Sequence, residues 1–427
     1  MSRIRSSCFA VVLIASFAVA AIGQAPSVSS TSSNFSIHDG DHVVFYGDSI
    51  TEQRLYTEYV EEYLLTRFPH WKVTFRNAGV GGDKVSGGWA GPIDLRLDRD
   101  VLAERPEVVT IMLGMNDGYY RPTEPGIVST YADGLRHIVD SMQKALPQAR
   151  IMLIQPSPFD DVTRETQFAG GYNEALLKFS DVVAKLAREK NLTITDFNTP
   201  VAAFLKTLNQ NSPDLAPQLL PDRVHPADGG HWIMAEALLK SWSAPSLISS
   251  VTIAAVSKSG AEAENARVTD LRRVKGKLSW TQLDEALPLP LPPAEVDPVV
   301  ALTVKLSDMV AALDQEMLLI RGLPTGNYDL LIDDRKIASL SSEELSAGIN
   351  LATVETPMLE QSRLVAADTE KKNALEAARF KIIGMGLASP EATKTAAALA
   401  HALPGAEARQ RVDAQPRPHR FEIVPHV

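Results

Sequence analysis

Residues 42–51 read HVVFYGDSIT: a short, mostly apolar run that ends in glycine, aspartate and serine. A run of this kind closed by a glycine turn marks a buried strand whose next side chain stands at the mouth of a sheet. Here that side chain is the hydroxyl of Ser49. Serine is a poor nucleophile until a base takes its proton and donors hold the resulting oxyanion. A base and donors are therefore what the remainder of the chain must supply.

From residue 41 to about 243, β-like runs alternate with stretches of helical period. Strands are expected at 42–46, 72–76, 108–113, 151–155 and 193–195, and helices at 56–68, 130–146, 167–190, 201–208 and 230–241. Runs such as VVTIML (108–113) are apolar without alternation, which suits strands buried on both faces. The βα alternation predicts a parallel sheet covered by helices, with ligands at the carboxyl ends of its strands.

Three further segments fall at those ends. NAGVGGD (77–83) follows the second strand, and its glycines let a backbone N–H approach a substrate closely. GMND (114–117) follows the third and offers the side-chain amide of Asn116. DRVHP (222–226) sets Asp222 three residues before His225. In a single turn that spacing lets the carboxylate take one ring nitrogen while the other faces Ser49. Nucleophile, base, base orienter and oxyanion donors are the complete requirement of acyl transfer.

These four segments, in this order, resemble the blocks of the SGNH hydrolases, also called the GDSL esterase/lipase family. The resemblance covers residues 41–243. It implies a flavodoxin-like three-layer α/β/α sandwich with a parallel sheet, and ester hydrolysis. On that resemblance Ser49 is the nucleophile and Asp222 and His225 complete the triad. The oxyanion hole comprises the N–H groups of Ser49 and Gly82 and the amide of Asn116. The segments around 41–59 and 114–120 are similar to branches that include carbohydrate O-deacetylases. Aromatic faces beside polar groups suit sugar rings, so Trp89, Tyr119 and Tyr120 are the expected substrate contacts. The expected substrate is a small ester or an acylated carbohydrate, most simply an O-acetyl or short-chain acyl ester. The alternatives are a lipase or lysophospholipase-like hydrolase of longer chains and, in another class, a non-catalytic glycan-binding or surface protein.

Asp48 and Asp117 read as loop holders through hydrogen bonds. His231, six residues after His225, reads as a capping or packing residue rather than a metal ligand, because that spacing suits two ligands on one helix poorly. No metal, nucleotide or flavin is expected: the 77–83 glycines lack the Gly-x-Gly-x-x-Gly spacing.

The chain has 427 residues, 45% of them hydrophobic and 22% charged, which indicates a globular protein of more than one domain. A formal charge of −10 gives no general attraction to nucleic acid or anionic membrane. Arg3 and Arg5 precede an uncharged, mostly apolar run and small residues at Ala21 and Gly23, the pattern of an export signal over residues 1–23. Its removal would take away Cys8, the single cysteine, and shift the charge from −10 to −12. The expected mature chain is thus exported, to periplasm or medium, without a membrane span. A flexible Ser/Thr/Asn-rich spacer is expected over residues 24–40.

After residue 243 the character changes to an accessory mixed α+β region over 244–427. A proline-rich connector or wrapping arm occupies 284–298, and a helix is expected at 299–315. Residues 317–332 read as strand, turn and strand, SSEE (341–344) as a capping box before a short helix that Gly348 stops, and 358–383 as a long helix. The last residues, with Pro416, Pro418 and Pro425, are expected to trail over a surface. No feature of the chain specifies an oligomeric state.

Overall fold

The computed structural model describes residues 34–256, 260–274, 276–293, 296–384, 386 and 389–426. The expected export signal lies outside these residues. Five parallel strands, β1 (His42–Gly47), β2 (Thr74–Gly79), β3 (Val108–Met112), β4 (Arg150–Gln155) and β5 (Thr193–Asp196), form one sheet in the order β2-β1-β3-β4-β5. This is the flavodoxin-like order. Every residue of β3 is buried, as its unbroken apolar run requires. Helices α1 (Ser49–Glu52), α2 (Leu55–Arg67), α3 (Ile93–Asp100), α4 (Pro125–Ala145), α5 (Asn173–Lys190), α6 (Asn198–Asn211) and α7 (Asp228–Ser241) cover it. α2, α6 and α7 pack together on one face, and α3, α4 and α5 on the other.

The sheet order fixes where the chemistry gathers. From β1 the chain turns outward to β2 and then returns past it to β3. The carboxyl ends of β1 and β3 therefore diverge at a switch point, where open α/β sheets bind ligands. The Ser49, Asn77–Asp83 and Asn116 segments all leave the sheet there.

Residues 244–427 add two sheets. Strands Leu247–Ala254, Ala261–Glu264, Gln315–Arg321 and Ile349–Asn350 form one; Ala266–Val274, Lys277–Asp284, Asn327–Ile332, Arg335–Ser341 and His419–Pro425 form the other. Val251, Ile253, Leu318 and Ile320 of the first share a core with Trp280, Leu330, Phe421 and Ile423 of the second. Two expectations are corrected here. The tail does not trail over a surface, because His419–Pro425 is the middle strand of its sheet, with Phe421 and Ile423 inward. The strand–turn–strand over 317–332 is present as expected, and its turn carries the chain from one sheet to the other. The helix expected over 299–315 is divided into Pro298–Leu306 and Met309–Leu313, and a strand begins at Gln315.

The proline-rich segment is a wrapping arm. Leu287, Leu289 and Leu291 are buried, and the Leu287 N–H donates to Thr66 O at the end of α2 (2.9 Å). The spacer expected over 24–40 is likewise corrected at its end. Phe35 and Ile37 are buried, Phe35 stacks on Phe68 at 5.4 Å, and Ser36 N–H donates to Trp242 O (2.9 Å). Two apolar side chains in a polar stretch suffice to dock it, at roughly 1.5–3 kcal/mol for each buried side chain. The capping box and its stop are present: Ser341 and Glu344 satisfy each other's backbone, and Gly348 sits at φ 98°. Helices Pro357–Gly384 and Pro390–Asp413 pair with each other, and the first lies along α2. Among the described residues no helix is long and apolar enough to cross a membrane.

Candidate active site

β1 ends at Gly47, and Asp48 caps α1 by accepting the Ile50 N–H at 3.0 Å. Ser49 thus opens a helix at the mouth of the sheet. The turn is tight enough to require glycine at two positions. A Cβ on Gly47 would stand 2.2 Å from Thr51 Oγ1, and one on Gly79 2.3 Å from Glu52 N.

The expected base and its orienter meet Ser49. Asp222 accepts the N–H groups of Val224 (2.9 Å) and His225 (2.7 Å) through Oδ1, and Oδ2 lies 2.6 Å from His225 Nδ1. His225 Nε2 lies 2.8 Å from Ser49 Oγ. A carboxylate is an acceptor only, so it takes the proton of Nδ1 and leaves Nε2 bare toward the hydroxyl. Burial acts to raise the Asp222 carboxyl, but the three donors of the turn outweigh it and hold the pKa below the ordinary value. The 222–225 turn is held from behind by a residue the sequence reading missed. Arg223 adopts a left-handed φ of 76°, and its guanidinium donates to Asp160 O, Asp161 Oδ1 and Glu165 O.

The donors converge on the same rim. Gly81 N–H is committed to Glu52 Oε2 (2.8 Å), and a Cβ at Gly81 would stand 3.8 Å from Ser49 Cβ, so this loop lies against Ser49. Gly82 follows at φ 76°, and neither its N–H nor that of Ser49 has a partner among the described residues. Asn116 Nδ2 donates to Asp83 O (3.0 Å) and Asn116 Oδ1 accepts the Tyr120 hydroxyl (2.9 Å). The amide plane is thereby fixed, with one N–H uncommitted. Arg96, also missed, pins this loop from beneath through Asp83 (2.7 Å) and Ala78 O (2.9 Å).

Of the expected substrate contacts, Trp89 and Tyr119 are 61% and 56% exposed. Trp89 Nε1 donates to Gly81 O (2.7 Å), and Lys84 and Arg121 lie over the Tyr119 ring. Tyr120 is tilted against Tyr172, and its hydroxyl is engaged by Asn116. Tyr119 and Tyr120 both take left-handed backbone, φ 55°. Side chains other than glycine tolerate that conformation at a cost that gathers at functional sites.

Asp48 and Asp117 serve the loops. Asp117 Oδ1 accepts the Val85 N–H at 3.0 Å, and burial pushes both carboxyls up to about 7. His231 is buried beside the site, where Nδ1 accepts the Tyr56 N–H at the start of α2 (3.3 Å) and Nε2 donates to Gln53 Oε1 (3.1 Å). Burial, helped by the charge of His225, lowers its pKa to about 3. An unfolded chain would protonate this ring near 6.5, whereas the folded one refuses the proton. Its contribution to stability is therefore complete above about 6.5 and falls as the pH drops from there toward 3. The expected result in a histidine NMR titration is a His231 ring that stays neutral down to about pH 4. A His231 resonance that titrates between pH 6 and 7 would contradict the cap.

Residues 45–233 match the GDSL-like lipase/acylhydrolase family. An acetylxylan esterase of Geobacillus stearothermophilus is 26% identical over 227 residues, covering 48% of this chain and 94% of that protein. The isoamyl acetate-hydrolyzing esterase of Saccharomyces cerevisiae is 27% identical over 220 residues, 47% of this chain and 86% of that one. Among solved structures, a gut microbial diltiazem-metabolizing enzyme has the same fold, with a TM-score of 0.80 at 23% identity. That likeness covers 91% of this chain and 98% of the other, and so includes the C-terminal sheets.

Proposed function

Since residues 45–233 belong to the GDSL-like lipase/acylhydrolase family and the protein is a serine ester hydrolase, we propose that Ser49, His225 and Asp222 are its catalytic triad and that the substrate is a carbohydrate O-acetyl ester or another short acyl ester. The observation that carries this reading is the unbroken relay from Asp222 through His225 to Ser49, at 2.6 and 2.8 Å. His225 Nε2 takes the Ser49 proton as Oγ bonds to the ester carbonyl carbon. The resulting oxyanion receives hydrogen bonds from Ser49 N–H, Gly82 N–H and the free N–H of Asn116. As the intermediate collapses, His225 passes the proton to the departing alkoxide, and an acyl-serine remains. Water, deprotonated by the same ring, then bonds to the acyl carbon. Ser49 Oγ leaves with its proton restored, and the carboxylic acid is released. Asp222 stabilises the imidazolium throughout and stays ionised.

Three features support a polar, short acyl ester. Asp222 and His225 stand open to solvent, with side chains 56% and 32% exposed. Trp89 and Tyr119 present exposed rings beside the oxyanion loop. The relatives include enzymes named for acetylxylan and isoamyl acetate, and the second name favours a small alkyl acetate as the other reading. The same proposal takes the chain to be exported, to periplasm or medium, on the strength of its first 23 residues.

A panel of acetylated xylan, acetylated sugars and nitrophenyl esters of increasing chain length tests the substrate. The expected result is a kcat/KM that falls roughly tenfold or more between acetyl and octanoyl esters. A preference for the longer chains would replace the carbohydrate reading with that of a lipase. Trp89→Ala is expected to raise KM for acetylated oligosaccharides about fivefold, the loss of about 1 kcal/mol of ring contact, while turnover of nitrophenyl acetate is retained.

A further inference from the structure

β2 is the edge strand of the parallel sheet, and the groups on its free side meet partners from the accessory region. Val73 O accepts Arg411 Nη2 at 3.3 Å. Phe75 O accepts Lys372 Nζ at 3.5 Å, together with Arg76 Nη1 at 2.7 Å. Asn77 N–H donates to Glu376 Oε1 at 2.9 Å. Covering an exposed edge is an ordinary task for a helix pair. What distinguishes the third contact is where it lies. Asn77 is the knot between the nucleophile turn and the oxyanion loop. Its Nδ2 donates to Thr51 O (2.7 Å), two residues beyond Ser49, and to Thr57 Oγ1 (3.1 Å). Its Oδ1 accepts the N–H of Gly79, where the loop to Gly82 begins (3.0 Å).

The other oxygen of Glu376 faces Lys372 at 3.4 Å and Arg54 at 3.6 Å. Arg54 joins α1 to α2 in a left-handed conformation, φ 72°. Glu376 thus touches two of the three segments assigned to the oxyanion donors, those of Ser49 and Gly82. A buried carboxylate is costly unless it is paired and hydrogen-bonded, and Glu376 is both. Burial alone would raise its pKa, yet Lys372, Arg54, Arg76 and the Asn77 N–H hold it below the ordinary value.

We propose that Glu376, on the accessory helix Pro357–Gly384 and outside residues 45–233, is a positioning residue that sets the nucleophile turn against the oxyanion loop through Asn77. The accessory region is then part of the working esterase. This rests on the assignment of Ser49 and its oxyanion donors given above.

The test is kcat per active site, titrated with a serine-reactive phosphonate so that unfolded protein does not count. Glu376→Ala is expected to lose about tenfold in kcat with KM held within about twofold, as small misplacements of reacting groups do. Glu376→Gln keeps an acceptor oxygen at the same reach and is expected to return kcat to within about twofold of the parent. Arg411→Met uncovers the far end of the same strand. It is expected to lower the thermal midpoint and to leave kcat per site unchanged. Should Glu376→Ala fail to accumulate, the Glu376→Met/Lys372→Met double variant removes one buried charge of each sign and carries the same comparison. Unchanged kcat in Glu376→Ala, or in the double variant that replaces it, overturns the proposal. An equal loss in Arg411→Met also overturns it, because Glu376 would then be edge cover only. Ser49→Ala run alongside separates the two levels. Turnover surviving in Ser49→Ala refutes the site assignment itself, whereas an inert Ser49→Ala beside a fully active Glu376→Ala refutes the positioning role alone.

Discussion

Ser49→Ala is expected to lower ester turnover by on the order of 10⁴-fold or more, with the fold intact. The loss is of a covalent bond rather than of binding. The reaction proposed for this site passes through an acyl-oxygen bond to residue 49, and alanine has no atom to form it. What survives is the contribution of the oxyanion donors and of His225 acting on water. The hydroxyl makes one hydrogen bond, to a half-exposed ring, so its loss costs the folded state little. Denaturant unfolding within about 1 kcal/mol of the parent, beside a collapsed kcat, is the expected pair of results.

Asn116→Ala is expected to cost about 10²–10³ in kcat, equivalent to about 3 kcal/mol of barrier, with KM scarcely moved. A donor aimed at the oxyanion acts where negative charge develops, so its removal appears in kcat. The amide is fixed by Asp83 O on one side and the Tyr120 hydroxyl on the other, and the remaining N–H is therefore preorganised. Tyr120→Phe separates aim from presence. It frees Asn116 Oδ1 but keeps the donor, and its expected loss is at most about tenfold. Steady-state kinetics on one acetyl ester measures all three enzymes. A large rise in KM with unchanged kcat would place Asn116 in ground-state binding instead.

Much of the catalytic half was legible because its signals are local. Strands such as β3 are apolar without alternation, glycines sit where backbones meet, and each motif loop follows its strand. The three-residue spacing of Asp222 and His225 predicted the relay directly. The supports of the site were not legible, because they join residues distant in sequence. Glu376 meets Asn77 across 299 residues, and Arg223 meets Asp161 across 62. Neither end carries a local mark of its partner. The C-terminal half misled for a different reason. Pro416, Pro418 and Pro425 bracket His419–Pro425 and favour a loop reading, while only Phe421 and Ile423 reveal the alternation of a strand. The polar stretch before the first strand concealed Phe35 and Ile37, whose burial is visible only beside Phe68 and Trp242.

The most direct test is covalent. The protein is treated with a fluorophosphonate, weighed intact and digested to find the modified residue. The expected result is a single phosphonyl group on Ser49, loss of turnover in step with labelling, and labelling strongly slowed in His225→Ala. A stoichiometric label on any other residue, or full turnover after Ser49 is labelled, would contradict the assignment of Ser49.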